Sequence, residues 1–127
     1  MAKRILIADD EPNIVLSLEF LMRRAGYEVE KVGDGDAALE AVRRAPPDLV
    51  LLDVMMPRRD GFEVCQEIRR DPALAGVRIA MLTAKGREVE REKGLALGAD
   101  SYITKPFATQ DVIDTVRSLL EGEEAAR

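Results

Sequence analysis

Asp48-Leu49-Val50-Leu51-Leu52-Asp53 is the stretch that decides the fold. Its apolar residues run without alternation, and a strand with that pattern is one covered by helices on both faces. Such a strand lies centrally in a parallel sheet, and this one stops on an acid. Working outward, three other short apolar runs stop on residues able to handle a phosphoryl group: Ile5–Ala8 on Asp9-Asp10, Ile79–Leu82 on Thr83, and Tyr102–Thr104 on Lys105. Segments of helical character separate the runs, so they read as parallel strands whose carboxyl ends share one edge. In an open α/β sheet that edge, near the point where strand order reverses, is where ligands bind.

The intervening segments carry their own punctuation. Pro12 suits the first turn of a helix whose apolar face is Leu18, Leu21, Met22 and Ala25, ended by Gly26. A strand over Glu28–Val32 precedes Gly33-Asp34-Gly35 and a helix over Asp36–Ala45, closed by Pro46-Pro47. A loop over Val54–Asp60 leads to a helix beginning at Gly61 and leaving through Asp71-Pro72. Val77–Leu82 is a strand, Arg87–Leu97 a charged helix with Gly98 at its C-terminal cap, and Thr109 caps a last helix reaching Glu121. Five βα units with right-handed crossovers make a doubly wound, three-layer α/β/α sandwich. The expected sheet is parallel and five-stranded in the flavodoxin-like order 2-1-3-4-5. That order brings Asp9, Asp10 and Asp53 together at the switch point.

Composition narrows the chemistry. The 127 residues suit one domain, and 46% apolar content fills one core. We expect that domain over residues 1–121, with 122–127 a polar C-terminal tail. A net charge of -5 with interspersed signs predicts no nucleic-acid-binding surface. The single cysteine, Cys65, recurs with Phe62 and Ile68 on one helical face and reads as a packing residue. It fits a reducing compartment, and the four-residue apolar run after Arg4 is too short for a signal peptide or membrane span, so a cytoplasmic protein is expected. The absence of histidine excludes serine–histidine triads and histidine metal sites. No glycine loop of the nucleotide-binding kinds is present.

Taken singly, the strand-end residues are ambiguous. Asp9-Asp10 suits a helix start, Thr83 could cap the Arg87 helix, and Lys105 could be a solvated lysine. Together they are not, because three converging carboxylates repel one another and raise each other's pKa unless a cation binds. Magnesium, with manganese as a substitute, suits carboxylates, retained waters and phosphoryl oxygens. Three carboxylates, one divalent ion and one ammonium sum to zero charge. If Asp53 attacks phosphorus, its charge of -1 becomes about -2 as an acyl phosphate, which the metal and Lys105 must accommodate. Thr83 can donate a hydrogen bond to a new phosphoryl oxygen and draw its strand towards Asp53.

These segments, Ile5-Leu6-Ile7-Ala8-Asp9-Asp10-Glu11, Leu51-Leu52-Asp53-Val54-Met55-Met56-Pro57 with Asp60-Gly61, Thr83-Ala84, and Lys105-Pro106-Phe107, resemble the CheY-like receiver domain of two-component response regulators. The resemblance implies phosphorylation of Asp53 by a histidine kinase or histidine phosphotransfer protein, with no turnover of an external substrate. It implies magnesium ligation by Asp9, Asp10, Asp53 and the Met55 backbone carbonyl. Phosphoryl binding and switching would involve Thr83, the Ala84 backbone, Lys105 and Tyr102, with a cis bond before Pro106. Tyr102 as an ordinary edge-strand aromatic is the alternative. Met55 and Lys85 occupy the positions that tune phosphate lifetime, and Met55, unable to orient water, predicts slow self-dephosphorylation.

The wording from Gly98 to Phe107 is similar to the PhoB/OmpR-type subfamily. That implies a phosphorylation-favoured homodimer through Arg91, Asp100, Asp111 and Arg117, although Ser101 and Thr115 depart from the pattern. A solvated charged face is the plainer account of those four residues. The competing enzymatic reading is an aspartate-nucleophile phosphohydrolase of the haloacid-dehalogenase kind. Its Asp-x-Asp signature after the first strand is missing.

Overall fold

A computed structural model describes residues 2–84 and 86–121. The expected tail and Lys85 lie outside the described residues. Five strands, β1 (Arg4–Ala8), β2 (Glu28–Val32), β3 (Leu49–Asp53), β4 (Arg78–Ala84) and β5 (Ser101–Lys105), form one parallel sheet in the order β2-β1-β3-β4-β5. The helices are α1 (Pro12–Arg24), α2 (Gly35–Arg44), α3 (Gly61–Arg70), α4 (Glu88–Ala96) and α5 (Thr109–Glu121). Among the described residues no helix is long and apolar enough to cross a membrane.

The period-two geometry of strands explains why the sheet needs cover on both sides. Leu6, Val50, Leu52, Ile79 and Met81 face one layer with Val42 of α2 and Val64, Cys65 and Ile68 of α3. Ile5, Ile7, Leu49, Leu51, Ala80 and Leu82 face the other, with Leu18 and Met22 of α1 and Val112 and Val116 of α5. All five residues of β3 are buried, as its unbroken apolar run demands. Cys65 is fully buried, and burial pushes its thiol up to about 11, which leaves it a packing residue.

Local signals set the helix ends. Asp34 and Asp60 cap α2 and α3, their carboxylates accepting from the N–H groups of Ala37 at 2.7 Å and Glu63 at 2.9 Å. Gly61 opens α3 so close to β3 that an added Cβ would lie 2.3 Å from the Asp53 carbonyl oxygen. That contact fixes how the β3–α3 loop leaves the acidic strand end.

Several boundaries differ from the sequence reading: α2 spans Gly35–Arg44 instead of Asp36–Ala45, α4 Glu88–Ala96 instead of Arg87–Leu97, and β5 Ser101–Lys105 instead of Tyr102–Thr104, while β4 begins at Arg78 instead of Val77. β4 runs through Thr83 to Ala84, because its ladder to β5 continues past the apolar run, with Thr83 opposite Thr104 and Ala84 opposite Lys105. Thr109 lies inside α5 instead of capping it; the Ala108 carbonyl accepts from Val112 N–H at 3.2 Å. A 3-10 turn at Pro72–Leu74, capped by Asp71, also intervenes before β4.

Candidate functional site

Strand register assembles the site. Ala8 pairs with Leu52 and Asp53 with Leu82, so Asp9 emerges level with Asp53 at the carboxyl edge, where the order reverses between β1 and β3. One carboxylate oxygen from each of Asp9, Asp10 and Asp53 falls within 4.8 Å of the others. Asp9 and Asp53 are buried at 1% and 5% exposure, whereas Asp10 is exposed. The Lys105 ammonium lies 2.8 Å from Asp9 Oδ2 and 3.4 Å from Asp53 Oδ1. It arrives there from β5, and the Lys105–Pro106 peptide bond is cis.

Backbone donors orient the acids. Met55 N–H donates to Asp53 Oδ1 at 3.2 Å, and Glu11 N–H donates to Asp9 Oδ1 at 2.9 Å. The electrostatic consequence is an Asp53 carboxyl pushed up to about 7, by burial first and by the Asp9 charge next, against the opposing pull of Lys105 and the Met55 amide. Burial works to depress Lys105, but the carboxylates of Asp9, Glu11 and Asp53 overcome it and raise its pKa.

The donor set fits a hard divalent cation. Three carboxylates converge from two strand ends, and Asp9 Oδ2 is buried without a hydrogen bond of proper geometry despite its ion contact with Lys105. Thr83 Oγ1 is likewise buried at 1% exposure with no hydrogen-bond partner. A buried hydroxyl left unpaired costs on the order of 1–3 kcal/mol, a cost that an oxygen ligand within its reach would relieve. Thr83 does not cap α4; Arg87 occupies that cap and makes no side-chain capping bond.

The remaining predicted residues lie around this centre. Ala84 lines the cleft together with Met55, whose side chain is 70% exposed. Tyr102 is outward at 38% exposure, with the Arg91 guanidinium 5.1 Å from its ring centroid. Arg91 also pairs with Glu88 at 3.3 Å. Asp100 is engaged within the chain, accepting from Arg69 and from Ile79 N–H, each at 2.8 Å. Asp111 and Arg117 are exposed on α5.

Three charged residues of the cleft escaped the sequence reading as site residues. Glu11 Oε1 lies 3.1 Å from Lys105 Nζ, making the ammonium the centre of three acids. Arg87 and Glu90 line the same cleft of about 420 Å³. The consecutive acids Asp9-Asp10-Glu11 offered a signal for the first. Nothing in the sequence pattern distinguished the other two from the rest of a charged helix.

Comparison with known proteins agrees with this geometry. Residues 5–117 match the response regulator receiver domain. The alkaline phosphatase synthesis transcriptional regulatory protein PhoP of Bacillus subtilis is 44% identical over 126 residues, which cover 99% of this chain and 52% of that protein. The chain thus spans about half the length of that relative. A Chloroflexus aurantiacus chain described as a response regulator superposes with a TM-score of 0.92 at 34% identity, covering 95% of this chain and 99% of that one. The chemotaxis response regulator CheY4 of Vibrio cholerae gives 0.89 at 31% identity, covering 94% and 100%. The switch-point acids therefore stand in a familiar setting, and the chain belongs to the response regulator receiver domain family, the phosphorylation-dependent switches of two-component signalling.

Proposed function

We propose that Asp53 accepts the phosphoryl group. The observation that carries this reading is the burial of its carboxylate where Asp9, Asp10 and Lys105 converge. The donor is a phosphohistidine of a sensor kinase or phosphotransfer protein. An Asp53 oxygen bonds to phosphorus as the phosphorus–nitrogen bond breaks, its electron pair returning to the donor imidazole. Asp9, Asp10, Asp53 and the Met55 carbonyl would hold magnesium, which neutralises phosphoryl charge and lowers the raised Asp53 pKa. Lys105, on its half-buried stem, supplies a charge-assisted contact to the phosphoryl oxygens, while Thr83 Oγ1 and the Ala84 N–H donate to others. The chain is not a metabolic enzyme, and self-dephosphorylation is the only hydrolysis assigned to it.

Incubation with acetyl phosphate and magnesium tests the assignment by intact mass. One phosphoryl group per chain is expected, and none for Asp53→Asn; undiminished uptake by that variant would refute it. Multiple turnover of phosphate esters would favour the phosphohydrolase reading instead.

The output face is α4-β5-α5, and the dimer we assign to it is a weak one. Two of its four charges, Arg91 and Asp100, already have partners within the chain, which cross-chain bridges would have to displace. Sedimentation with and without beryllofluoride decides, and an unchanged monomer removes the dimer. The domain at 1–121 acts in the cytoplasm, without direct nucleic-acid contact of its own.

A further inference from the structure

Among the described residues, the acceptor cleft holds a second cation besides Lys105, one that the phosphoryl chemistry above leaves idle. Arg87, at the N-terminal cap of α4, lines it together with Asp53, Lys105, Glu11, Met55 and Glu90. Its guanidinium is 61% exposed and bonds Glu90 Oε2 at 2.8 Å, whereas the Glu90 side chain is only 15% exposed. Among the described residues, five acids, Asp9, Asp10, Glu11, Asp53 and Glu90, thus meet two bases in and beside the cleft. With a divalent ion the sum is about -1, and an acyl phosphate takes it to about -2. Lys105 is already shared among three carboxylates, so among the described residues the added charge has one further cation within the cleft to recruit, Arg87.

We propose that Arg87 is a phosphoryl-binding residue held in reserve by Glu90, leaving that carboxylate for the phosphoryl oxygens when Asp53 is modified. The inference rests on Asp53 being the acceptor. With its Arg87 end exposed, this i,i+3 ion pair is weak, so a dianion in a partly desolvated cleft outcompetes it. The exchange is local to the switch: Arg87 N–H donates to the Ala84 carbonyl at 3.3 Å, and the Arg87 carbonyl accepts from Glu90 N–H at 3.1 Å. Transfer of the guanidinium therefore passes the charge change from the end of β4 directly to the first turn of α4, and leaves Glu90 to repel the phosphorylated centre.

The test measures beryllofluoride affinity in the presence of magnesium for the wild type, Arg87→Ala, Arg87→Lys, Glu90→Gln and the double variant Arg87→Ala/Glu90→Gln. Arg87→Ala should bind about tenfold more weakly, equivalent to 1.4 kcal/mol, and Arg87→Lys should recover part of the loss. Glu90→Gln should bind more tightly, because it frees the arginine and removes an acid. In the double variant that gain should shrink to the part due to the lost acid alone. A pair that merely stabilised the start of α4 would give Arg87→Ala and Glu90→Gln the same sign, which overturns the proposal. So does an Arg87→Ala affinity equal to wild type. Failure of the wild type itself to bind beryllofluoride or take up phosphate would overturn the acceptor assignment instead, and this inference with it.

Discussion

Replacing Asp53 by Asn should stabilise the metal-free protein, by an amount that depends on pH. The Asp53 carboxyl is pushed up to about 7 by burial and by Asp9, whereas the pKa of an aspartate in the unfolded chain is ~4. Between these values the folded chain keeps a proton that the unfolded chain has released, so stability falls as pH rises through the window. Below it both states are protonated and nothing is lost; above it the full penalty applies. At face value three pKa units amount to about 4 kcal/mol. Solvent at the cleft mouth screens the charge, leaving about 1–2 kcal/mol. Asparagine carries no charge and removes that penalty. For a chain of this length the gain corresponds to about 4–8 °C in Tm at pH 8, shrinking towards zero at pH 4.5. Thermal melts in EDTA across that range measure it, and the difference between variant and wild type cancels the titration of distant groups. Saturating magnesium should reverse the order, since ligand binding stabilises the folded state that retains all three carboxylates. A difference that does not vary with pH, or an Asn variant less stable at pH 8 without metal, would refute the reasoning.

The same titration links metal and proton. Apparent magnesium affinity should be level above pH 7 and fall by up to about tenfold per pH unit below it, with proton release visible by calorimetry in buffers of different ionisation enthalpy; an affinity constant from pH 6 to 8 would count against it. Gly61→Ala places a Cβ 2.3 Å from the Asp53 carbonyl oxygen and 3.0 Å from Val54 Cα. Backbone must move, costing about 1–3 kcal/mol, and a shift of the acceptor by an ångström slows acetyl phosphate uptake by about a hundredfold. Gly76→Ala, which meets nothing within 4 Å, is the control and should match wild type in both assays. Met55→Asn should shorten the acyl phosphate half-life, because a polar group at that exposed position can orient the attacking water; an unchanged half-life would end that account.

Sequence periodicity revealed the fold because burial is written into it. The unbroken Leu49–Leu52 run required cover on both faces, and both layers are there. Strand ends were less legible. Thr83 is polar, so hydropathy stops at Leu82, yet backbone pairing with Thr104 depends on register and not on side-chain character. The acids at 9, 10 and 53 could be placed together from strand order alone. Glu11 adjoins that pair in sequence, but its contact with Lys105 was not legible, since a carboxylate entering a helix reads as a favourable charge on the helix dipole and Lys105 is 94 residues away. Asp100 has a partner that its position did not reveal: Arg69 spans from α3 to bond it and also the Gly98 and Val77 carbonyls, each at 2.8 Å. A side chain reaching between elements leaves no local pattern.

The structure also explains why a charge change at Asp53 should be felt on one side of the molecule. α1 is anchored by Leu18 and Met22, α3 by Val64, Cys65 and Ile68, and α5 by Val112 and Val116, all fully buried. Each such apolar side chain contributes about 1.5–3 kcal/mol. Only Gly94 of α4 is buried, and Val89 and Leu95 point outward at 78% and 44% exposure. A hydrogen bond to a charged group is worth about 1.5–3 kcal/mol, which is comparable to the burial of one side chain. Gaining or losing one at the cleft is therefore too small to displace α1, α3 or α5 from their layers. It is enough to reposition a helix that packs against β4 through a glycine, and α4 is the element whose cap, Arg87, already borders the acceptor.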